Sequence, residues 1–135
     1  MIKFEQIIDP VTMTLRDCIW LERGCEGAWD KATPDDQIRA VKNGQAYMFR
    51  VSGDMEGIFV LAIGDKKSKR LVITALAGRG MIKNFGEFYS KVKDLCKSAG
   101  AKALYGFVSR EGLKRLYNKH TTARSKAELF LENLS

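Results

Sequence analysis

The sequence predicts one α+β domain, and three features carry that expectation. Segments rich in β-branched and aromatic residues, at 46–52, 57–64 and 70–76, follow one another across short polar breaks, as the strands of an antiparallel meander do. Behind them, Ile82, Phe85, Phe88 or Tyr89, Val92, Leu95, Cys96 and Ala99 recur at helical spacing, and Gly100 supplies a stop. The apolar run 103–108 then reads as a strand, so that strand, helix and strand from residue 70 onward form one parallel crossover. A chain of 135 residues, 45% of them hydrophobic, can bury one sizeable core but not two.

The N-terminal third reads as helical. Residues 13–23 are expected to form a helix with Leu15, Ile19 and Cys18 inward, although Trp20 and Leu21 leave its buried face ambiguous. Thr33-Pro34-Asp35-Asp36 marks the start of a second helix: the threonine can cap, proline fits the first helical position, and the acids suit the positive end of the dipole. Ile38 and Val41 give it a short apolar stripe that ends at Asn43-Gly44. Toward the C-terminus, Ser109 can cap a helix over 110–119 with Leu113, Leu116 and Tyr117 on one face, and 126–134 reads as an edge strand.

Composition excludes several classes. No apolar run approaches the ~18–20 residues a membrane span requires, and the N-terminal residues do not read as a secretory signal, so the cytoplasm is the expected location. Cys18, Cys25 and Cys96 are odd in number and form no C-x-x-C, which argues for reduced thiols and against a zinc site. His120 has no nucleophile or metal ligand at local spacing. The net charge of +7 favours anionic partners such as nucleic acid, a phosphorylated cofactor or an acidic protein, without choosing among them. Its densest run, Asp65-Lys66-Lys67-Ser68-Lys69-Arg70, lies between two expected strands, where a solvated hairpin tip accounts for it.

The segment Ala77-Gly78-Arg79-Gly80-Met81 joins a strand to the long helix, an arrangement suited to an anion: glycines permit close backbone approach, and amides at a helix N-terminus point outward. A tight strand-to-helix turn would use the same glycines. In this context the chain resembles the GNAT acyltransferase superfamily, whose pyrophosphate motif reads (Gln/Arg)-x-x-Gly-x-(Gly/Ala). Gly78 and Gly80 match its small positions, and Ala75 stands where Gln or Arg is usual. Leu116-Tyr117-Asn118-Lys119 is similar to the family's L-Y-x-K segment. The chain also resembles short GNAT-like proteins of tailed phages, through Trp29, the segment 44–49, Gly78 to Met81, Ala99-Gly100-Ala101 and Arg110-Glu111-Gly112-Leu113-Lys114-Arg115.

This resemblance implies a GNAT-like α+β fold over 1–135, with a mixed, mostly antiparallel sheet, one parallel crossover and flanking helices. It implies an acetyl-CoA site at Thr74, Leu76, Ala77, Gly78, Arg79, Gly80, Met81 and Lys83, with Tyr117 as the acid that protonates the departing thiolate. No carboxylate occupies the segment 71–75, so Glu56 or Asp54 of the preceding hairpin, acting through water, is the candidate base. Arg110 replaces the family's asparagine, Leu113 a small residue, and Thr121-Thr122 the usual Gly-Phe. Those departures favour a phage-encoded binding or particle-assembly component without turnover, partnered by a phage or host protein. An active N-acetyltransferase acting on an amine acceptor is the alternative, and a basic nucleic-acid-binding module the third reading.

Overall fold

In the computed structural model, residues 1–26, 32–65, 67, 69–107, 124–126 and 129–133 are described. Strands β1 (Lys3–Ile7), β2 (Ala46–Ser52), β3 (Glu56–Asp65), β4 (Arg70–Arg79), β5 (Ala103–Phe107), β6 (Arg124–Lys126) and β7 (Leu129–Asn133) form one sheet in the order β1-β2-β3-β4-β5-β7-β6. Every neighbouring pair is antiparallel except β4 and β5, which are parallel and joined by the long helix α3 (Met81–Ser98). Helices α1 (Leu15–Cys25) and α2 (Pro34–Lys42) follow β1 and a short 3-10 turn at Pro10–Thr12.

Alternation along the strands divides the core in two. Phe49, Val51, Phe59 and Leu61 join Phe85, Phe88, Tyr89, Val92 and Cys96 of α3. Met48, Ile58 and Val60 point the other way, toward Trp20, Leu21 and Cys25 of α1 and the half-buried Ile38 and Val41 of α2. The aromatic side chains of the first cluster meet edge-on and stacked, as in Phe59 against Phe88, with ring centroids 5.4 Å apart, and Phe49 against Phe59 at 5.0 Å.

Four expectations are corrected. The N-terminal third is not wholly helical: Lys3–Ile7 is an edge strand that pairs with β2 along its full length, from Lys3 opposite Ser52 to Ile7 opposite Met48. The C-terminal strand β7 is internal, between β5 and β6, so the edge is Arg124–Lys126. On α1 the expected face is reversed: Leu15 and Cys18 are exposed and Ile19 is 43% exposed, whereas Asp17, Trp20, Leu21 and Cys25 face the sheet. Ile82 of α3, expected inward, is 78% exposed.

Asp17 explains the reversal of α1. Its amide donates to Thr14 Oγ1 and its carboxylate accepts from the Thr14 amide, a reciprocal capping box. The same carboxylate accepts from Arg50 of β2, with Nε 3.0 Å from Oδ1, and Arg50 also reaches Glu5 of β1. Burial works to raise the Asp17 carboxyl pKa, but the bonds from Arg50 and Thr14 outweigh it and hold the group below the ordinary carboxylate value. We expect Asp17→Asn to cost roughly 2–3 kcal/mol, because Arg50 then keeps only the exposed Glu5 as a charge partner. The lowered pKa makes this contribution complete above the unfolded carboxyl's pKa and lost as pH falls through the folded one. Urea melts from neutral pH down to acid should therefore show the wild-type advantage shrinking only on the acid limb; an equal gap at all pH values would contradict the pairing.

Burial pushes the Cys96 thiol up to about 12, and Cys25 is also buried, whereas Cys18 lies exposed on the outer face of α1. Ellman titration of the native protein at pH 8 should accordingly register one fast thiol, removed by Cys18→Ser, and the other two only on denaturation.

Candidate functional site

Among the described residues, the parallel ladder between β4 and β5 runs from Arg70 opposite Ala103 to Ile73 opposite Gly106. At that point the β3–β4 pairing also slips: Val60 faces Ala75 and Leu61 faces Ile73, so Thr74 is an extra residue on β4. Side-chain parity records the bulge. Leu71 and Ile73 pack on the α3 side, and beyond Thr74 it is Leu76 that does so, while Ala75 and Ala77 pack toward α1 and α2. Among the described residues, the second half of β4 thus stays paired with β3 and has no partner on its other side from Thr74 to Arg79.

The lower part of α1 comes close to this stretch. A Cβ on Gly24 would lie 3.1 Å from the Leu76 amide nitrogen, so glycine lets the α1 backbone rest on the strand. From α2, the buried side chain of Gln37 accepts a hydrogen bond from Thr74 Oγ1 at 3.1 Å. Residue type gave no indication of this pair; the only usable signal was that Gln37 lies one residue before Ile38 on the inward stripe of α2.

The open edge leads into α3. The turn expected at 77–80 is narrower than the sequence suggested, because β4 continues through Arg79. Gly78 lies directly opposite Gly57, where an added Cβ would stand 2.4 Å from the Glu56 carbonyl oxygen; it is glycine because two backbones meet there. Gly80 has a different reason. It is the N-cap of α3 with φ +78°, a left-handed conformation that glycine adopts without steric cost.

Helices α1 and α2 each begin with a threonine capping box closed by an aspartate. By contrast, α3 begins with no side-chain cap and no acid in its first turn. Its Asn84 amide side chain instead donates to the carbonyls of Gly80 and Asp54, tying the helix start to the β2–β3 turn. Met81 packs partly into the α3-side core, whereas Arg79 and Lys83 are exposed beside the first turn. Uncapped first-turn amides, the helix dipole and two flexible cations together suit a phosphate group. Of the residues assigned from sequence, Thr74, Leu76, Ala77, Arg79, Gly80, Met81 and Lys83 therefore line one continuous path along β4 and into α3, with Gly78 within it as a packing residue.

Glu56 is not on that path. It starts β3 opposite Arg79, five residues along β4 from Thr74, or ~16 Å of strand. Its carboxylate is ion-paired with Arg16 of α1, Nη2 lying 2.9 Å from Oε2. Both belong to a separate cleft of about 440 Å³ over β2 and β3, where Trp20 and the Asp17–Arg50 pair form the remaining wall. Trp20 itself is a core residue, 8% exposed. Tyr117, Arg110, Leu113, Thr121 and Trp29 fall outside the described residues, as does His120. Among the described residues no group of three metal-ligating side chains converges, and no helix is long and apolar enough to cross a membrane.

No protein-family model matches this sequence, and no curated protein matches it. Solved structures do. A GNAT-family acetyltransferase from Staphylococcus aureus Mu50 is similar over 100% of both chains with a TM-score of 0.61 and 11% identity. The spermidine N-acetyltransferase of Vibrio cholerae, solved with CoA and spermine, matches over 98% of this chain and 95% of its own, with a TM-score of 0.66 and 9% identity. The Campylobacter jejuni N-acetyltransferase PseH, in complex with acetyl coenzyme A, matches over 100% of both chains with a TM-score of 0.58 and 16% identity. With a single parallel pair in a mixed sheet, a bulged fourth strand that parts from the fifth, and these likenesses along its whole length, the chain has the fold of the GNAT acetyltransferases.

Proposed function

We propose that this protein binds acetyl-CoA in the opening that begins at Thr74 and transfers the acetyl group to an amine. One observation carries the reading: the edge that β4, among the described residues, leaves unpaired beyond its bulge runs directly into a helix N-terminus with neither a side-chain cap nor an acid in its first turn. The related folds bound to acetyl coenzyme A, or to CoA and spermine, support the choice of ligand and acceptor class.

In this reading the amides of residues 81–83 hold the pyrophosphate, with Arg79 and Lys83 adding charge, and the backbone from Thr74 to Ala77 hydrogen-bonds the pantetheine arm. Bound acetyl-CoA supplies an activated thioester. Thr74, fixed by Gln37, keeps the bulge in shape and so sets where the strand edge becomes free to receive the pantetheine arm. Tyr117 donates the proton that the departing sulfur requires, the role its resemblance to the family assigns it, and the proton that the nitrogen sheds as the amide forms leaves to water, from which the tyrosinate is reprotonated.

A second reading, cofactor binding without turnover, draws on a specific observation: β4 from Leu71 to Ala77 carries no carboxylate, and Glu56 is held by Arg16 in the other cleft. A role in a phage particle rests on sequence resemblance alone.

Calorimetric titration with acetyl-CoA, against desulfo-CoA and ATP as controls, tests the site. Micromolar affinity for the CoA compounds with none for ATP is expected, and absence of heat at millimolar ligand would overturn the proposal. Release of free CoA in the presence of a polyamine, an amino sugar or a peptide amine then separates the readings. Turnover that falls at least tenfold in Tyr117→Phe, with unchanged affinity, supports transfer; tight binding with no turnover for any amine supports the second reading.

A further inference from the structure

The proposed cofactor site uses only Arg79 and Lys83 of the 23 lysines and arginines, and five others lie at the other end of the sheet. The β3–β4 hairpin carries Lys67, Lys69 and Arg70, all exposed, and the α3–β5 connection carries the exposed Lys97 and Lys102. These two segments are fastened together. The Lys102 amide donates to the Lys69 carbonyl at 2.9 Å, and in the next step of the ladder Arg70 stands beside Ala103. Lys69 is held at φ 53°, and the Arg70 guanidinium lies 5.6 Å from the centre of the Tyr105 ring. Five exposed cations therefore lie on two segments whose backbones are pinned together at Lys69 and Lys102.

The make-up of this surface indicates its partner. Protein interfaces are built around apolar and aromatic anchors and are poor in lysine. Here lysine dominates, and the exposed large apolar side chains among the described residues, Met1, Ile8, Val11, Leu15, Ile19, Tyr47 and Ile82, all lie elsewhere. Polar, strongly positive surfaces that recognise by charge fit a phosphate backbone.

We infer that the end of the sheet formed by Lys67, Lys69, Arg70, Lys97 and Lys102 binds the phosphate backbone of nucleic acid, without reading its bases. From Arg70 to Arg79 the strand spans ~30 Å, so this surface does not share phosphates with the N-terminus of α3, and the inference stands whether or not the acyltransferase reading does.

Fluorescence anisotropy with a labelled DNA duplex of about 20 base pairs tests it. Micromolar binding at low salt is expected, and about four phosphate contacts correspond to a loss of ~100-fold between about 50 and about 200 mM salt. Lys69→Glu/Lys102→Glu should weaken binding by about tenfold or more, with an unchanged melting temperature and unchanged acetyl-CoA titration. The matched reversal Lys3→Glu/Lys42→Glu, which alters net charge equally at exposed positions elsewhere, should stay within about threefold of wild type. Should the Lys69/Lys102 variant melt early, Lys69→Gln/Lys102→Gln gives the same comparison without new repulsion. The inference is overturned if the duplex does not bind at low salt, if both double reversals weaken binding equally, or if a polyglutamate peptide of similar charge binds as tightly as the duplex.

Discussion

Gly78→Ala should destabilise the fold by about 3 kcal/mol, at the upper end of what overpacking costs, and its melting temperature should fall further than that of any other single-methyl addition on β4. The new Cβ would lie 2.4 Å from the Glu56 carbonyl oxygen and 3.2 Å from the Gly57 Cα, both of them backbone. A flexible side chain could turn aside, but a strand can yield only by parting from its neighbour. The reciprocal change tells the same story: a Cβ on Gly57 would lie 2.2 Å from the Ala77 carbonyl oxygen. Gly80→Ala has a different origin and a smaller expected cost, roughly 1–2 kcal/mol, since its strain comes from φ +78° and its nearest new contact is the Asp54 carbonyl oxygen at 3.2 Å. Thermal melts of the three alanine variants should rank Gly57 and Gly78 well below Gly80. Equal, mild losses would mean that β3 and β4 are not packed this closely. A consequence follows for function: a bulky or charged residue at position 78 would abolish ligand binding by separating the strands, so loss of binding there says nothing about a phosphate site.

Gly78 and Gly80 show how much of the protein was legible in its sequence. Two glycines before a long amphipathic helix marked the junction of β4 with α3, and capping signals at Thr33, the helical repeat of α3 and the β-rich segments placed most elements correctly, because each of those signals is local. What sequence left hidden depends on contacts between distant segments. Nothing in the apolar run Leu71-Val72-Ile73-Thr74-Ala75 announces a bulge; only the partner strand and the parity of the packed residues define it. The edge strand Lys3–Ile7 has too many polar residues for its pattern to stand out, and it is a strand because β2 offers it a complete ladder. On α1, the apolar Leu15 and Ile19 suggested the wrong face, since Asp17 turns inward to meet Arg50 from thirty-three residues away. The partnership of Gln37 with Thr74 was invisible for the same reason.

Ile82→Glu should weaken acetyl-CoA binding by about 30-fold, corresponding to ~2 kcal/mol, while leaving the melting temperature unchanged or slightly raised. Ile82 is the second residue of α3 and is 78% exposed, so its replacement removes little from the core. A carboxylate in the first turn interacts favourably with the helix dipole, worth about 0.3–1 kcal/mol to folding. Toward a pyrophosphate on the same amides its effect has the opposite sign, because a like charge in the same helical turn repels phosphates even through partly screened solvent. The opposing signs make the variant decisive: folding and binding should move in different directions, which no general destabilisation can imitate. Ile82→Gln, with similar size and no charge, should bind within about threefold of wild type, and raising the salt concentration should recover part of the glutamate variant's loss. If calorimetry instead finds the glutamate and glutamine variants equal, the phosphates are not held at the start of α3. The open edge of β4 would then need a ligand whose charge lies elsewhere.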